Sequence, residues 1–539
     1  MSPVRDPALD CVVIGHNDGD LDTLMRRVRQ GEGASGRYAD LKLNSVLVGG
    51  RRLHHMDLIN RALGTDYNVF AQPHLGAHYL ASFMRRRGLR TAVINLFSQE
   101  QARLDELLEA GVRAVALTTT YYIEPEPLAE IVEYVRKRAP ETRIVVGGPF
   151  IFNVCSYFDA ASQDYVFDTI GADLYIFDSQ GESTLTAAVR ALRDGGADAL
   201  AQVPNLTYRA GREFARTPRI LERNDLDANI VDWSGFDRAA LGKTVYLRTA
   251  RSCPFACSFC NYPTLAGEHV MAGDAAVLGE LRQLAALGIH DVVFVDDTFN
   301  VPLPRFKALL RQIVDAKLDL RWMSFFRCSN ADEEAFDLMQ RSGCVGVFLG
   351  IESGDEQILK AMNKFARVDR YHYGIRQLES RGIFTYASMI VGFPGETRAS
   401  VERSIELLES ARPSFFYPQL YFHDVVSPIH ARAKELGITG AGLAWSHPTM
   451  DWREAVGWTR EMCKRVSGSE LMPGYSLSCW GAFYLLSHGF TVGELRELMR
   501  QARPMVLAGF DEQEAEGVDR LPAIFARGGV RRALAARHP

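Results

Sequence analysis

Three cysteines, Cys253, Cys257 and Cys260, fall close together in the run Arg251-Ser-Cys-Pro-Phe-Ala-Cys-Ser-Phe-Cys-Asn-Tyr262. Thiolates at the spacing CxxxCxxC can hold three corners of a cubane iron–sulfur cluster and leave the fourth iron without a ligand from the run. An iron with an open position can take a substrate or cosubstrate, so the chemistry implied is that of a reaction centre rather than an electron store. The plainer reading of a cysteine is a small buried apolar residue, and it suits Cys11, Cys155, Cys328, Cys344, Cys463 and Cys479, which are scattered singly. It does not suit three thiols too close to be independent core positions. Nine cysteines in 539 residues are too odd and too sparse a set for a disulfide framework. Zinc is the competing metal, but a structural zinc site wants four ligands, usually from two paired knuckles, and no second knuckle is present.

The elements that must position this loop form two alternating series. In the first, strands are predicted at 11–15, 91–97, 114–118, 143–146 and 172–177, with helices at 76–88, 99–110, 127–138 and one ending near Arg193. Glycines at the strand ends, Gly147-Gly148 and Gly181 among them, argue a doubly wound, Rossmann-like parallel sheet with ligands outside the carboxyl ends of its strands. A hairpin at 204–218 and an acidic linker at 225–237 follow. The second series has strands at 244–248, 291–295, 321–326, 345–351, 384–391 and 415–422, separated by helices. Six such units suit a partial (β/α)6 barrel, with the cysteine run just after its first strand, where a catalytic loop belongs. The fold class is therefore α/β, organised as residues 1–200, a hairpin and linker at 201–242, the barrel at 243–438 and a mainly helical region at 439–539.

The bulk properties are those of a soluble globular chain, with 47% hydrophobic and 24% charged residues and a formal net charge of -5. No long basic run suggests a nucleic-acid partner, although Arg527, Arg531, Arg532 and Arg537 crowd the end of the chain. No apolar window long enough for a membrane span and no leader-like start occur, so a cytoplasmic location is expected, where thiols stay reduced.

Taken in order, these motifs resemble the radical S-adenosylmethionine (SAM) superfamily. The cysteine run looks like its cluster loop, with Phe259 as the aromatic before the last thiolate. The resemblance implies a [4Fe-4S] cluster on Cys253, Cys257 and Cys260, whose free iron chelates SAM. It also implies SAM contacts from Asp296 and Asp297 after the second barrel strand, Glu352 and Ser353 after the fourth, and Gly392 and Glu396 after the fifth. Taken singly, each of these is as well read as an ordinary strand-to-helix turn. Glu268 and His269 are further candidates to cap the open iron, with solvent exposure the plainer role.

The sheet before the barrel resembles the cobalamin-binding domain of one branch of that superfamily. Thr118, Thr119 and Thr120, Gly147 and Gly148, and Gly181, Glu182 and Ser183 stand at the strand ends where the corrin and its nucleotide tail would lie. The chain departs from the DxHxxG motif of other cobalamin proteins: His16 and Gly19 fit, but Ile14 replaces the aspartate, so cobalamin without a histidine ligand is expected. The opening Asp10–Asp20 and the run Trp445-Ser-His447-Pro-Thr-Met450 are similar to a natural-product subgroup that includes phosphinate P-methyltransferases and the thiopeptide tryptophan C-methyltransferase, although Trp445 and His447 read equally as packing residues.

The resemblance implies methyl transfer from SAM through methylcobalamin to a phosphinate phosphorus or an unactivated carbon of a small-molecule or peptide natural-product precursor. An electron donor such as a flavodoxin or ferredoxin would be needed, and no nucleic acid or membrane. Arg248, Arg251, Arg321, Arg327, Tyr417 and Tyr421 are candidates to face the substrate, with structural or SAM-binding roles as the alternative. A cobalamin radical SAM enzyme that cyclises or rearranges its substrate is the enzymatic alternative, and a nonenzymatic cobalamin or iron–sulfur sensor the alternative of another class. The tRNA methylthiotransferase branch carries a second set of three cysteines that is missing here.

Overall fold

The structure is a computed structural model that describes residues 8–17, 45–122, 124–195, 199–474 and 477–525. Gly19 and the arginines at 527, 531, 532 and 537 lie outside the described residues.

The first sheet is made of strands covered on both faces, which is why they read as unbroken apolar runs. In β1 (Leu9–His16), Cys11, Val12, Val13 and Ile14 are buried. β1 lies between β2 (Thr91–Leu96) and β3 (Val112–Thr118), and β4 (Arg143–Gly147) and β5 (Leu174–Ile176) continue beyond β3, all parallel. Alternate residues serve two cores. Val12, Ile14, Val115 and Leu117 face one way, whereas Cys11, Val13, Ala114 and Ala116 face the helices α1 (Leu75–Arg85) and α2 (Glu182–Asp194) through Ala77, Ala81 and Ala188. Because the chain leaves β1 for β2 on one side and returns to β3 on the other, a crevice opens at their carboxyl ends beside His16 and Thr118. The hairpin anticipated at 204–218 is β6 (Leu206–Ala210) and β7 (Glu213–Arg216), which extend this sheet antiparallel past β5 rather than standing apart from it.

The second sheet runs in chain order through β8 (Thr244–Leu247), β9 (Asp291–Phe294), β10 (Arg321–Phe326), β11 (Cys344–Glu352), β12 (Phe384–Val391) and β13 (Phe415–Leu420), every pair parallel. A two-residue seventh strand, β14 (Glu470–Leu471), pairs with β13. It is too short, and too far along the chain from β13, for its pattern to show in the sequence. Phe294 stacks on Phe299 at 4.3 Å, and Trp322 meets both edge-on.

Two helices between β4 and β5, Pro149–Tyr157 and Ala160–Ile170, were not anticipated; the first is nearly continuous in apolar residues and carries no helical period. The C-terminal region opens on a three-stranded antiparallel meander, Thr439–Ala441, Ala444–His447 and Met450–Asp451, before its helices. No helix among the described residues is long and apolar enough to cross a membrane.

Candidate active site

The cysteine loop leaves β8 through Thr249, makes a short antiparallel ladder of Ala250–Arg251 with Val270–Met271, and turns at Ser252, whose φ of 67° is left-handed. Cys257 is buried and Cys253 and Cys260 are half-buried; none is in a disulfide. Burial pushes the Cys260 thiol up to about 11, and Cys257, Asp297 and Cys253 add like charge. A Cys260 thiolate so placed needs a positively charged partner to stay ionised. Among the described residues no three His, Cys, Asp or Glu side chains converge on a single point. A cubane is gripped at its corners, so its ligands need not converge, and the donor set fits a four-iron cluster.

The loop is clasped from three sides. The segment after β9 supplies most of the grip. The buried Asp296 carboxylate accepts bonds from Thr249 N at 2.6 Å, Thr249 Oγ1 at 2.5 Å and Ala250 N at 2.9 Å. Thr298 Oγ1 lies 3.4 Å from Cys253 Sγ, and the buried Asn300 accepts from Arg327 N and donates to the Arg327 carbonyl, setting the Arg327 guanidinium 3.6 Å over the Phe255 ring inside the loop. From beyond β11, Met362 O accepts from Ser258 N and Asn363 donates to Ala256 O. From beyond β13, Ile429 N donates to Ser258 O and Asn261 donates to Asp424 at 2.7 Å.

The residues expected at SAM divide into two groups. Asp296, Ser353 and Glu396 are spent within the fold. Ser353 is fully buried, its Oγ accepting from Asp355 N and lying 3.5 Å from Ser404 Oγ. Glu396 is buried and accepts from Gly392 N at 2.5 Å. Asp297, Glu352 and Phe259 stand at the loop. Asp297 is solvent-exposed, and desolvation by the protein around it pushes its carboxyl up to about 7, with Asp296 adding like charge and Tyr262 opposing. Glu352, in a left-handed conformation at the end of β11, pairs with Lys364 at 2.8 Å, and Lys364 Nζ lies 5.7 Å from the Phe259 ring centroid. Gly350 admits that pair, because a Cβ there would strike both Glu352 Oε1 and Lys364 Nζ. Gly392, at φ 93°, is covered by Trp445, whose indole donates to Tyr421 O and stacks on His447 at 5.2 Å. Trp445 and His447 are thus packing residues. Glu268 is exposed.

Glu396 carries a pH signature. Burial lifts its carboxyl from 4.5 to about 8. A raised carboxyl holds its proton in the folded state while the unfolded chain releases one, so stability falls as pH rises from about 4.5 to about 8. Glu396→Gln keeps an acceptor for Gly392 N and removes the ionisation, so its urea midpoint should match wild type at pH 5 and exceed it at pH 8.

At the cobalamin-like sheet, Thr118 Oγ1 donates to Gly15 O, and Thr119 Oγ1 donates to Gly147 O while accepting from Phe150 N. Gly148, at φ 111°, lets the chain pass Thr119. These residues shape the floor of the β1/β3 crevice, and Thr120 and Tyr121 stand exposed above it. At the Gly181-Glu182-Ser183 turn, expected near the nucleotide tail, the Glu222 carboxylate accepts from Ser183 N and Thr184 N at 2.8 Å, capping α2. His16 sits among the rings of Phe70, Tyr121 and Tyr122. His74 Nδ1 accepts from Ala77 N, which fixes its proton on Nε2 and denies that nitrogen to a metal. The carboxyl ends of the two sheets approach one another: Tyr121 lies near Tyr246 of β8, and Tyr157 near Asp424 beyond β13. Tyr121, Tyr246, Lys364 and Glu222 were missed in the sequence because their neighbours are distant along the chain.

Residues 247–408 match the Radical SAM superfamily, and the chain carries a radical SAM domain. An uncharacterized methyltransferase of Pyrococcus horikoshii is 25% identical over 366 residues, 65% of this chain and 74% of that protein. Tryptophan 2-C-methyltransferase of Streptomyces laurentii is 32% identical over 178 residues, 30% of each chain. The fold is that of the radical SAM methyltransferase TsrM from Kitasatospora setae, whose structure with cobalamin and a [4Fe-4S] cluster bound superposes with a TM-score of 0.61 at 18% identity, covering 80% of this chain and 96% of that one.

Proposed function

We propose that this chain is a cobalamin-dependent radical SAM methyltransferase that moves a methyl group from SAM to a phosphinate phosphorus or an unactivated carbon of a small natural-product precursor. The observation that carries this reading is the approach of the two sheets, with Arg248 at the end of β8 lying over Tyr79 of α1, one sheet bearing the three-cysteine loop and the other the β1/β3 switch point. Cys253, Cys257 and Cys260 would hold the [4Fe-4S] cluster, and the Thr118–Thr120 and Gly147–Gly148 turns would floor the corrin. When bound, the cluster supplies the electron that cleaves SAM and the corrin carries the methyl group.

The residues of the chain bind and orient SAM. Asp297, whose ionised form desolvation disfavours, gains from a cation beside it and suits the SAM amino group. Glu352 offers its carboxylate to the ribose hydroxyls while Lys364 holds it in place. The reductant is an external one-electron donor such as a flavodoxin or ferredoxin. Anaerobic reconstitution with iron, sulfide and hydroxocobalamin, followed by incubation with trideuteromethyl SAM and candidate phosphinates and indoles, tests the reading. A labelled methyl group in product is expected. Deoxyadenosine without methyl transfer would point instead to a rearrangement, and absence of both cofactors would sink the reading.

A further inference from the structure

Of the candidates singled out to face a substrate, three are accounted for by the fold. Arg321 pairs with Asp291 at the amino ends of β9 and β10, Tyr417 is buried in the core, and the Tyr421 hydroxyl bonds His423. Arg327 stacks on the cysteine loop. Arg248 and Arg251 differ. Arg248 makes no hydrogen bond or ion pair among the described residues, and its guanidinium lies over the Tyr79 ring, 4.8 Å from the centroid. Arg251, 6% exposed, spends one Nη2 donor on Asn224 O at 2.7 Å, and its Nε is buried without an acceptor. The Tyr79 hydroxyl is likewise buried and unpartnered. A guanidinium carries five N–H donors, so this pair leaves nearly all of its donors free of protein acceptors, and the buried ones, Arg251 Nε and the Tyr79 hydroxyl beside it, cost free energy until an acceptor arrives.

The nearby carboxylate does not supply that acceptor. Glu182 is buried and accepts from Asn224 Nδ2 at 2.7 Å, within electrostatic reach of both arginines but in an ion pair with neither. These side chains come from both sheet regions. Tyr79 comes from α1 and Glu182 from the start of α2, whereas Arg248 ends β8 and Arg251 leads into Cys253. Tyr262, just past Cys260, lies within electrostatic reach of both Asp297 and Arg248, which sets the arginines beside the flank of the cysteine loop.

We propose that Arg248 and Arg251, with the Tyr79 hydroxyl, bind the oxyanion of the methyl acceptor, a phosphinate or carboxylate taken by a guanidinium fork. This rests on the methyltransferase reading, since a substrate that meets both cofactors must lie between the two sheets. The planar fork matches a two-oxygen anion, and two arginines side by side tolerate each other best when an anion lies between them. The backbone amides at the start of α2, the other anion site on this side, are closed by Glu222.

The test uses reconstituted holoenzyme, wild type and the variants Arg248→Met, Arg251→Met and Arg251→Lys. Equilibrium dialysis gives affinities for phenylphosphinate, indole-3-acetate, SAM, cobalamin and cobinamide. Wild type should bind at least one of the two oxyanions, each methionine variant should lose about tenfold or more in that affinity, and lysine should recover part of it. SAM and cobalamin binding should hold. Arg248 is half-buried, so its variant serves if Arg251→Met fails to fold. The proposal is overturned if wild type binds neither oxyanion, or if the variants bind them unchanged. It is also overturned if the variants lose cobalamin but keep cobinamide, which assigns the pocket to the nucleotide phosphate, or if they lose SAM alone, which assigns it to the SAM carboxylate. Failure of the methyltransferase reading is a separate observation: wild type without cluster or corrin absorption.

Discussion

Replacing Cys253, Cys257 and Cys260 together by alanine should abolish iron and sulfide uptake and all deoxyadenosine formation, while cobalamin binding and the apo fold persist. The loop is held by groups other than thiols: Asp296 on the Thr249 and Ala250 amides, Asn363 on the Ala256 carbonyl, Ile429 on the Ser258 carbonyl, and the Asn261 side chain on Asp424. The loop sulfurs contribute less to this grip: Thr298 Oγ1 lies beside Cys253 Sγ, and the Tyr262 amide faces the Cys260 thiol. The crevice of the first sheet uses none of these residues, so loss of the cluster leaves it in place. Removing the mutual repulsion that helps raise the Cys260 thiol costs the apo protein nothing. About four irons per wild-type chain should fall to near none in the variant, with the visible absorption of the cluster lost and the corrin bands retained after cobalamin addition. Cluster retention would assign the iron to other ligands, and parallel loss of corrin binding would show that the two sites share a support not evident in the contacts.

The sequence made the scaffold of this site legible because both sheets are parallel and buried on two faces, which writes their strands as apolar runs such as Cys11–Ile14 and Val292–Phe294. The same logic hid the helix at Pro149–Tyr157, whose apolar run imitates a strand, and the meander around Trp445. Within the site, the cysteine spacing was legible because all three thiols lie on one loop. The partners of the flanking acids were not. That Glu352 pairs with Lys364, or that Glu222 caps α2 across 39 residues, depends on chain crossings that no local pattern records. The same holds for Asp296 and Asp297. The two adjacent carboxylates look alike in sequence, yet one faces inward to tie the loop and the other is solvent-exposed.

That division predicts opposite outcomes for the two acids. Asp296→Ala leaves the N–H groups of Thr249 and Ala250 and the Thr249 hydroxyl buried without their acceptor, and each orphaned donor costs about 1–3 kcal/mol. The loss of stability should reach about 3 kcal/mol or more, read as a lower urea midpoint of the apo protein, because the defect is in the fold before any cofactor binds. Burial raises the Asp296 carboxyl, so part of its cost is already carried by wild type, and asparagine, which keeps one acceptor oxygen, should recover much of the loss. Asp297→Asn should behave in the reverse way. Its carboxyl is pushed up to about 7 and its ionisation is a burden to the empty protein, so the variant should be as stable as wild type or more so above pH 7. Its defect should appear in SAM affinity instead. Equal destabilisation by both changes would show that Asp297 is also a structural brace, and loss of SAM binding in Asp296→Asn with unchanged stability would place the ligand contact on Asp296.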